Sequence, residues 1–230
     1  MQGLTGFAFG LIALAFWVWT LAPETAGPLV VACSLLGQLL NGRTTWRGFR
    51  APAAWPFIAG GVAGVPLGAW LLPLIDPQAF RFWLGVLLAV WCPIMLFAAR
   101  LPRVTGGGRA ADAFAGWLGG IMGGLGGLSG PAPTLWVTLR RWDKESQRAM
   151  FQAFHTTMHS LALAAFTVRG LVGMEEVWLF AVAAPCMLLP ALAGARLYAK
   201  INDVAFRRIV LGLLFLSGLL LMVNGISKPG

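Results

Sequence analysis

Ionisable side chains are scarce in this sequence, and their placement excludes several kinds of protein. Of 230 residues only 11% are charged, two are histidine, one is tyrosine and three are cysteine. Cys33, Cys92 and Cys186 stand alone within apolar stretches, so neither a disulfide framework nor a clustered cysteine metal site is expected. The eight acidic residues, Glu24, Asp76, Asp112, Asp143, Glu145, Glu175, Glu176 and Asp203, all read as loop or span-end positions. Carriers of cations and protons commonly hold Asp or Glu at membrane depth despite the cost. Their absence there favours an anionic or neutral substrate. An enzyme would need a nucleophile with its base, a carboxylate pair or a metal cluster, and only the two histidines come near such a set, so no enzymatic activity and no cofactor are expected.

What the chain has in abundance is apolar sequence. Hydrophobic residues make up 58% and the mean hydropathy is +0.78, far too apolar for a soluble domain. Spans of roughly 20 apolar residues fall at about 3–21, 27–41, 53–74, 80–99, 113–139 (interrupted by glycines), 149–168, 177–197 and 205–225. The sequence predicts a single integral membrane domain of all-α, polytopic class with about eight hydrophobic segments. The first span lacks a basic start and a small-residue cleavage site and reads as a retained helix. Trp46, Trp55, Trp142 and Trp178 lie near span ends and suit interface anchoring.

The net charge of +9 is a topology signal rather than a nucleic-acid one. Arg43, Arg47 and Arg50 follow span two; Arg100, Arg103 and Arg109 follow span four; Arg140, Arg141, Lys144 and Arg148 follow the glycine segment; Arg196, Lys200, Arg207 and Arg208 flank the last connection. A single crossing by the glycine segment would divide these clusters between the two faces. If it is broken and re-entrant, or crosses twice, fourteen of the seventeen basic residues share one side, as the positive-inside rule requires. That side reads as cytoplasmic.

Gly68-Ala69-Trp70-Leu71, Ile75, Ala79-Phe80-Arg81 and Leu87-Leu88 match Gly194-Ala195-Arg196-Leu197, Ile201, Ala205-Phe206-Arg207 and Leu213-Leu214 at a constant offset. Two repeats follow, 1–105 and 110–230. Their loop charges are reversed, three Arg after span two against Arg169 with Glu175 and Glu176 after span six, so inverted halves are expected, the plan of many secondary transporters. Chance matching of two apolar helix pairs is the alternative.

Residues 116–133, GWLGGIMGGLGGLSGPAP, are backbone offered as a surface. In hydrocarbon each unpaired amide costs several kcal/mol, so irregular backbone survives only where protein buries it or where it lines a cavity. Gly116, Gly119, Gly120, Gly123 and Gly124 fit small-xxx-small helix packing. Gly127, Ser129 and Gly130, with Pro131, read as a helix start: a serine able to cap, a glycine permitting close approach and a proline in the first turn. Such a start would present N–H donors and a positive dipole end to an anion.

Span six carries the second signal. Gln152, His155, Thr156 and His159 share one helical face. Measured from Arg148, His159 lies about 16 Å in at 1.5 Å per residue, near the midplane of a roughly 30 Å core. The histidines could bind a metal, but no third ligand is evident, so no metal is expected; or they could hydrogen-bond backbone opened by the glycines. The favoured reading is contact with the substrate or its proton, because imidazole changes charge near neutrality. With Glu24 matched to Glu145, Ser34 and Gln38 fall opposite His155 and His159 and could complete the site from the first half.

The segment Gly123-Gly124-Leu125-Gly126-Gly127-Leu128-Ser129-Gly130-Pro131-Ala132-Pro133, followed by Arg148 and a polar helix, resembles the second-repeat signature of the TauE/SafE sulfite exporter family. The repeated Phe-Arg hairpin at Phe80-Arg81 and Phe206-Arg207 resembles it too. One departure stands out: Phe7–Thr20 reads FAFGLIALAFWVWT, without the glycine cluster usual in the first repeat. The resemblance implies a multi-pass carrier of the bacterial inner membrane for sulfite, an organosulfonate such as sulfoacetate, or another small oxyanion. Expected partners are that anion and the lipid bilayer, with no nucleic acid; a homodimer is left open. An assembly or metal-delivery factor for another membrane complex is the competing reading.

Overall fold

The computed structural model describes residues 6–41, 51–98, 101–198 and 203–227. These form nine α-helices and no strands: α1 (Gly6–Trp17), α2 (Pro23–Asn41), α3 (Ala51–Leu71), α4 (Pro77–Leu96), α5 (Gly108–Gly124), α6 (Pro131–Leu139), α7 (Lys144–Val168), α8 (Met174–Tyr198) and α9 (Asp203–Ser227). Every expected segment contains a helix, and the glycine-interrupted one contains two. Sequence chemistry sets several boundaries. Asp76 caps α4 by accepting from the N–H groups of Gln78 and Ala79, both at 2.9 Å, with Pro77 in the first turn. Asp143 caps α7, accepting from Ser146 N–H at 2.9 Å.

Among the described residues three helical stretches are long and apolar enough to cross a membrane, Ala53–Leu74, Pro77–Leu96 and Arg208–Gly225. Helices α2 and α7 are diluted by polar residues that turn inward: Ser34, Gln38, Gln152, His155 and His159 are all buried. Large apolar side chains cover the outside instead, among them Phe16, Trp83, Trp178 and Leu213. This is the inverse of a soluble surface and suits lipid. Trp55 is exposed as an interface residue should be, whereas Trp142 packs edge-on against Phe57 with ring centroids 5.9 Å apart. Trp46 lies outside the described residues.

The glycine segment goes in and comes back. Gly119 lies against Pro133, Gly123 against Ser129, and Asp112 pairs with Arg140. Helices α5 and α6 are therefore antiparallel arms of a hairpin whose tip is 125–130. Helix α3 runs parallel to α5, since Phe57, Gly61 and Val65 meet Gly116, Gly120 and Gly124 in order. It follows that the starts of α3, α5 and α7 and the end of α6 share one end of the bundle. The basic residues Arg103, Arg109, Arg140, Arg141, Lys144 and Arg148 belong to that end; Arg43, Arg47, Arg50, Arg100 and Lys200 lie outside the described residues. Helix α2 is antiparallel to α7, with Gly27 near Phe166 and Gln38 near Gln152. Helix α4 is antiparallel to α9, with Phe82 at Gly225 and Leu88 at Gly218.

Asp112, near the start of α5, is buried and accepts from Arg140 Nη1 and, at 2.7 Å, from Trp136 Nε1. The hairpin causes this, because the returning end of α6 lays both donors over it.

Candidate functional site

The hairpin tip is made by two residues that only glycine suits. Gly126 and Gly127 have φ of 141° and 78°, conformations that residues with a Cβ rarely adopt. The tip closes on the end of α5, with Gly127 N–H donating to Gly123 C=O at 2.7 Å and Leu128 N–H to Met122 C=O at 3.2 Å. This turn delivers the Gly127 carbonyl and the Ser129 hydroxyl to α7, about three to four turns from its start.

There they meet the polar stripe. Ser129 Oγ and His155 Nδ1 share a hydrogen bond of 2.7 Å, and the same oxygen lies 3.5 Å from His159 Nε2. The two imidazoles stack with centroids 5.9 Å apart and planes 17° from parallel. From the other side α2 brings Gln38, whose amide donates to His159 Nδ1 at 3.0 Å. A continuous chain of donors follows. Gln152 donates to the Gln38 carbonyl at 3.1 Å, Thr156 to Gln38 Oε1 at 2.9 Å, Gln38 to His159, and His159 Nε2 to the Gly127 carbonyl at 3.3 Å. One tautomer of His159, with the proton on Nε2, satisfies both of its bonds. Each buried bond of this kind contributes about 1 kcal/mol, while leaving a partner unmatched costs roughly 1–3. The cluster thus orders α2, α7 and the tip together.

The structure brings Ser34, Gln38, Gly127, Ser129, Gln152, His155, Thr156 and His159 into one region; Gly130 is buried directly beside Ser129. Ser34 Oγ is buried and makes no hydrogen bond among the described residues; Gly10 of α1 fits between it and the Gly127 carbonyl, where a Cβ would lie 3.7 and 3.1 Å from them. No carboxylate or guanidinium is among the hydrogen-bond partners of the cluster in the described residues. Nor do these residues include three His, Cys, Asp or Glu side chains placed to hold a metal.

Two details of the expected helix start change. The cap of α6 is Gly130, without a side-chain bond, because Ser129 spends its hydroxyl on His155. Prolines at 131 and 133 also leave Ala132 as the sole N–H among the first three residues of α6. The donors aimed into this region are consequently side chains more than helix-end amides. Sequence reading also missed Trp91 of α4, buried, whose indole N–H holds the Pro131 carbonyl at 3.1 Å and anchors the helix start. Nothing in the sequence around Trp91 separates it from the other tryptophans.

An apolar exterior, a hairpin that turns back inside the bundle and a buried polar cluster at its tip define a helical membrane protein organised around an internal site. The class is that of a membrane transporter. The chain belongs to the sulfite exporter TauE/SafE family, whose profile matches residues 1–221. No curated protein and no solved structure matches it.

Proposed function

We propose that the chain is a secondary transporter that moves a small sulfur oxyanion, sulfite or an organosulfonate such as sulfoacetate, across the bacterial inner membrane by alternating access. The observation that carries this reading is the buried donor cluster of Ser34, Gln38, Ser129, Gln152, His155 and His159, with the half-buried Thr156 at its edge. An anion there would take over donors that now satisfy one another, with Ser34 O–H in reserve. Exchange of partners lets such a site release its ligand as readily as it binds it. A protonated histidine would offset the anion's charge, so uptake of a proton with the anion is part of the proposal.

Two repeats, 1–105 and 110–230, related by inversion are part of the same reading. Gln38 and His159, matched by repeat offset, bond directly, which supports a two-fold relation between the halves. The last helices of the repeats, α4 and α9, are antiparallel, and the equivalent Leu88 and Leu214 are both buried between them and their neighbours. Reporter cysteines near Arg47 and Glu175, in a variant lacking the native three, should label from opposite sides; labelling from the same side would sink the inverted arrangement.

The decisive experiment is purified protein in liposomes with labelled sulfite. Unaided uptake supports a carrier. An assembly or metal-delivery factor would show none. His155→Gln and His159→Gln should each lower binding about tenfold and flatten its pH dependence; unchanged binding in the double variant would make the histidines structural.

A further inference from the structure

At the end of the bundle where α6 stops and α7 starts, a second group of residues surrounds open space that the buried cluster does not use. Arg103, Arg140, Arg141 and Ser146 line a cavity of about 370 Å³, with Trp142 in its wall and Met150 at its inner end. This volume suits a small ligand.

The arginines are placed there by structure. Arg140 is held from behind by the buried Asp112. The strand of chain carrying Arg103 is pinned to the hairpin, because Val104 N–H donates to the Leu139 carbonyl at 3.1 Å. Arg141 is the most telling. Its φ is 53°, and its N–H and that of Trp142 bond back to the carbonyls of Thr138 and Val137 at 3.1 and 3.4 Å. This is the turn that ends helices with a left-handed residue, a place glycine ordinarily fills. An arginine kept in a backbone conformation that disfavours it is a sign that its side chain matters. Neither Arg103 nor Arg141 has an ion-pair partner among the described residues. Asp143, the carboxylate in the wall, accepts from the backbone at Ser146.

We infer that this cavity is a second oxyanion site, with Arg141 and Arg103 as its ligands and Ser146 as a further donor. Guanidinium groups bind sulfur and phosphorus oxyanions in bidentate fashion, so the occupant is either free sulfite or the phosphate of an anionic lipid headgroup. Ser146 and His155 are about 13 Å apart along α7 at 1.5 Å per residue, and the buried Met150, Phe151 and Phe154 intervene. The cavity is therefore distinct from the central cluster. Its role as an antechamber rests on the transport reading above; its binding chemistry does not.

The test is arginine labelling by phenylglyoxal, read by mass spectrometry on the intact protein. In lipid-free detergent, sulfate, which unlike sulfite does not add to the aldehyde of the reagent, should protect Arg103 and Arg141 about tenfold, in wild type and equally in the His155→Gln/His159→Gln variant. Protection without added sulfate in phosphatidylglycerol nanodiscs, compared with phosphatidylcholine ones, would assign the lipid phosphate as occupant. Arg141→Gly relaxes the strained backbone, so it should melt no lower than wild type while losing the protection of Arg103. No protection by either anion, protection that disappears in the histidine variant, or protection of Arg103 that survives Arg141→Gly would each overturn the site. Absence of liposome transport with protection intact would overturn the transport reading alone.

Discussion

Helix α5 carries two rows of glycine that do different work. Along one row, a Cβ added at Gly116, Gly120 or Gly124 would overlap the backbone carbonyls of Phe57, Gly61 or Val65 on α3. Along the other, a Cβ at Gly119 would lie 2.8 Å from the Pro133 ring and one at Gly123 would lie 3.1 Å from Ser129 Cβ. The first row meets regular backbone on a parallel helix, which cannot yield without separating the helices. The second meets the short arm of a hairpin, whose position sets where Ser129 points. One helix thus uses the same residue type to fix a scaffold on one side and to seat the tip of the site on the other.

The comparison is most easily broken at its rigid side. Gly120→Ala, which in an ordinary helix would stabilise by up to about 1 kcal/mol, should here cost about 3 kcal/mol or more because backbone cannot repack. Loss of monodisperse protein in size-exclusion chromatography is the expected result, and a normal profile would mean that the α3–α5 seam is looser than its geometry. Next in size is Gly130→Leu, expected to abolish sulfite uptake while membrane insertion persists, since a bulky side chain would crowd the buried turn beside Ser129. Wild-type uptake would reduce the tip to packing. Ser129→Ala should weaken sulfite binding roughly tenfold, because it strips His155 of its bonded hydroxyl; isothermal titration reads this directly. The smallest effect belongs to Gly123→Ala, which should leave the melting temperature within a few degrees and yet slow uptake several-fold by shifting Ser129. If it unfolds the protein as Gly120→Ala does, the two rows are one.

Much of this organisation was legible in the sequence because periodicity and composition encode it. The all-helical character, the break at the glycines and the shared face of Gln152, His155, Thr156 and His159 all come from local spacing. Gln38 and His159, set opposite one another by repeat offset, bond directly in the structure. What escaped depended on chain returning upon itself. Asp112 and Arg140 are 28 residues apart and pair only because the hairpin closes. The loss of helix-start amides at Pro131 and Pro133 was written in the sequence, yet its meaning depended on Ser129 choosing His155 over the cap. Arg141 gave no sign at all, since a left-handed turn is normally signalled by glycine or asparagine.

The hairpin also constrains how the chain is made. Helix α6 has nine residues, far short of the roughly 20 needed to span a bilayer, and the hydroxyl at its base bonds a histidine 26 residues further on. When the ribosome has produced the tip, its partner does not yet exist. The arm cannot settle in lipid with that turn unsatisfied, so its insertion has to wait for α7 and proceed with it. Biogenesis of this protein is therefore out of step with its sequence order, and a ribosome halted between Leu139 and His155 would leave the short arm outside the bilayer.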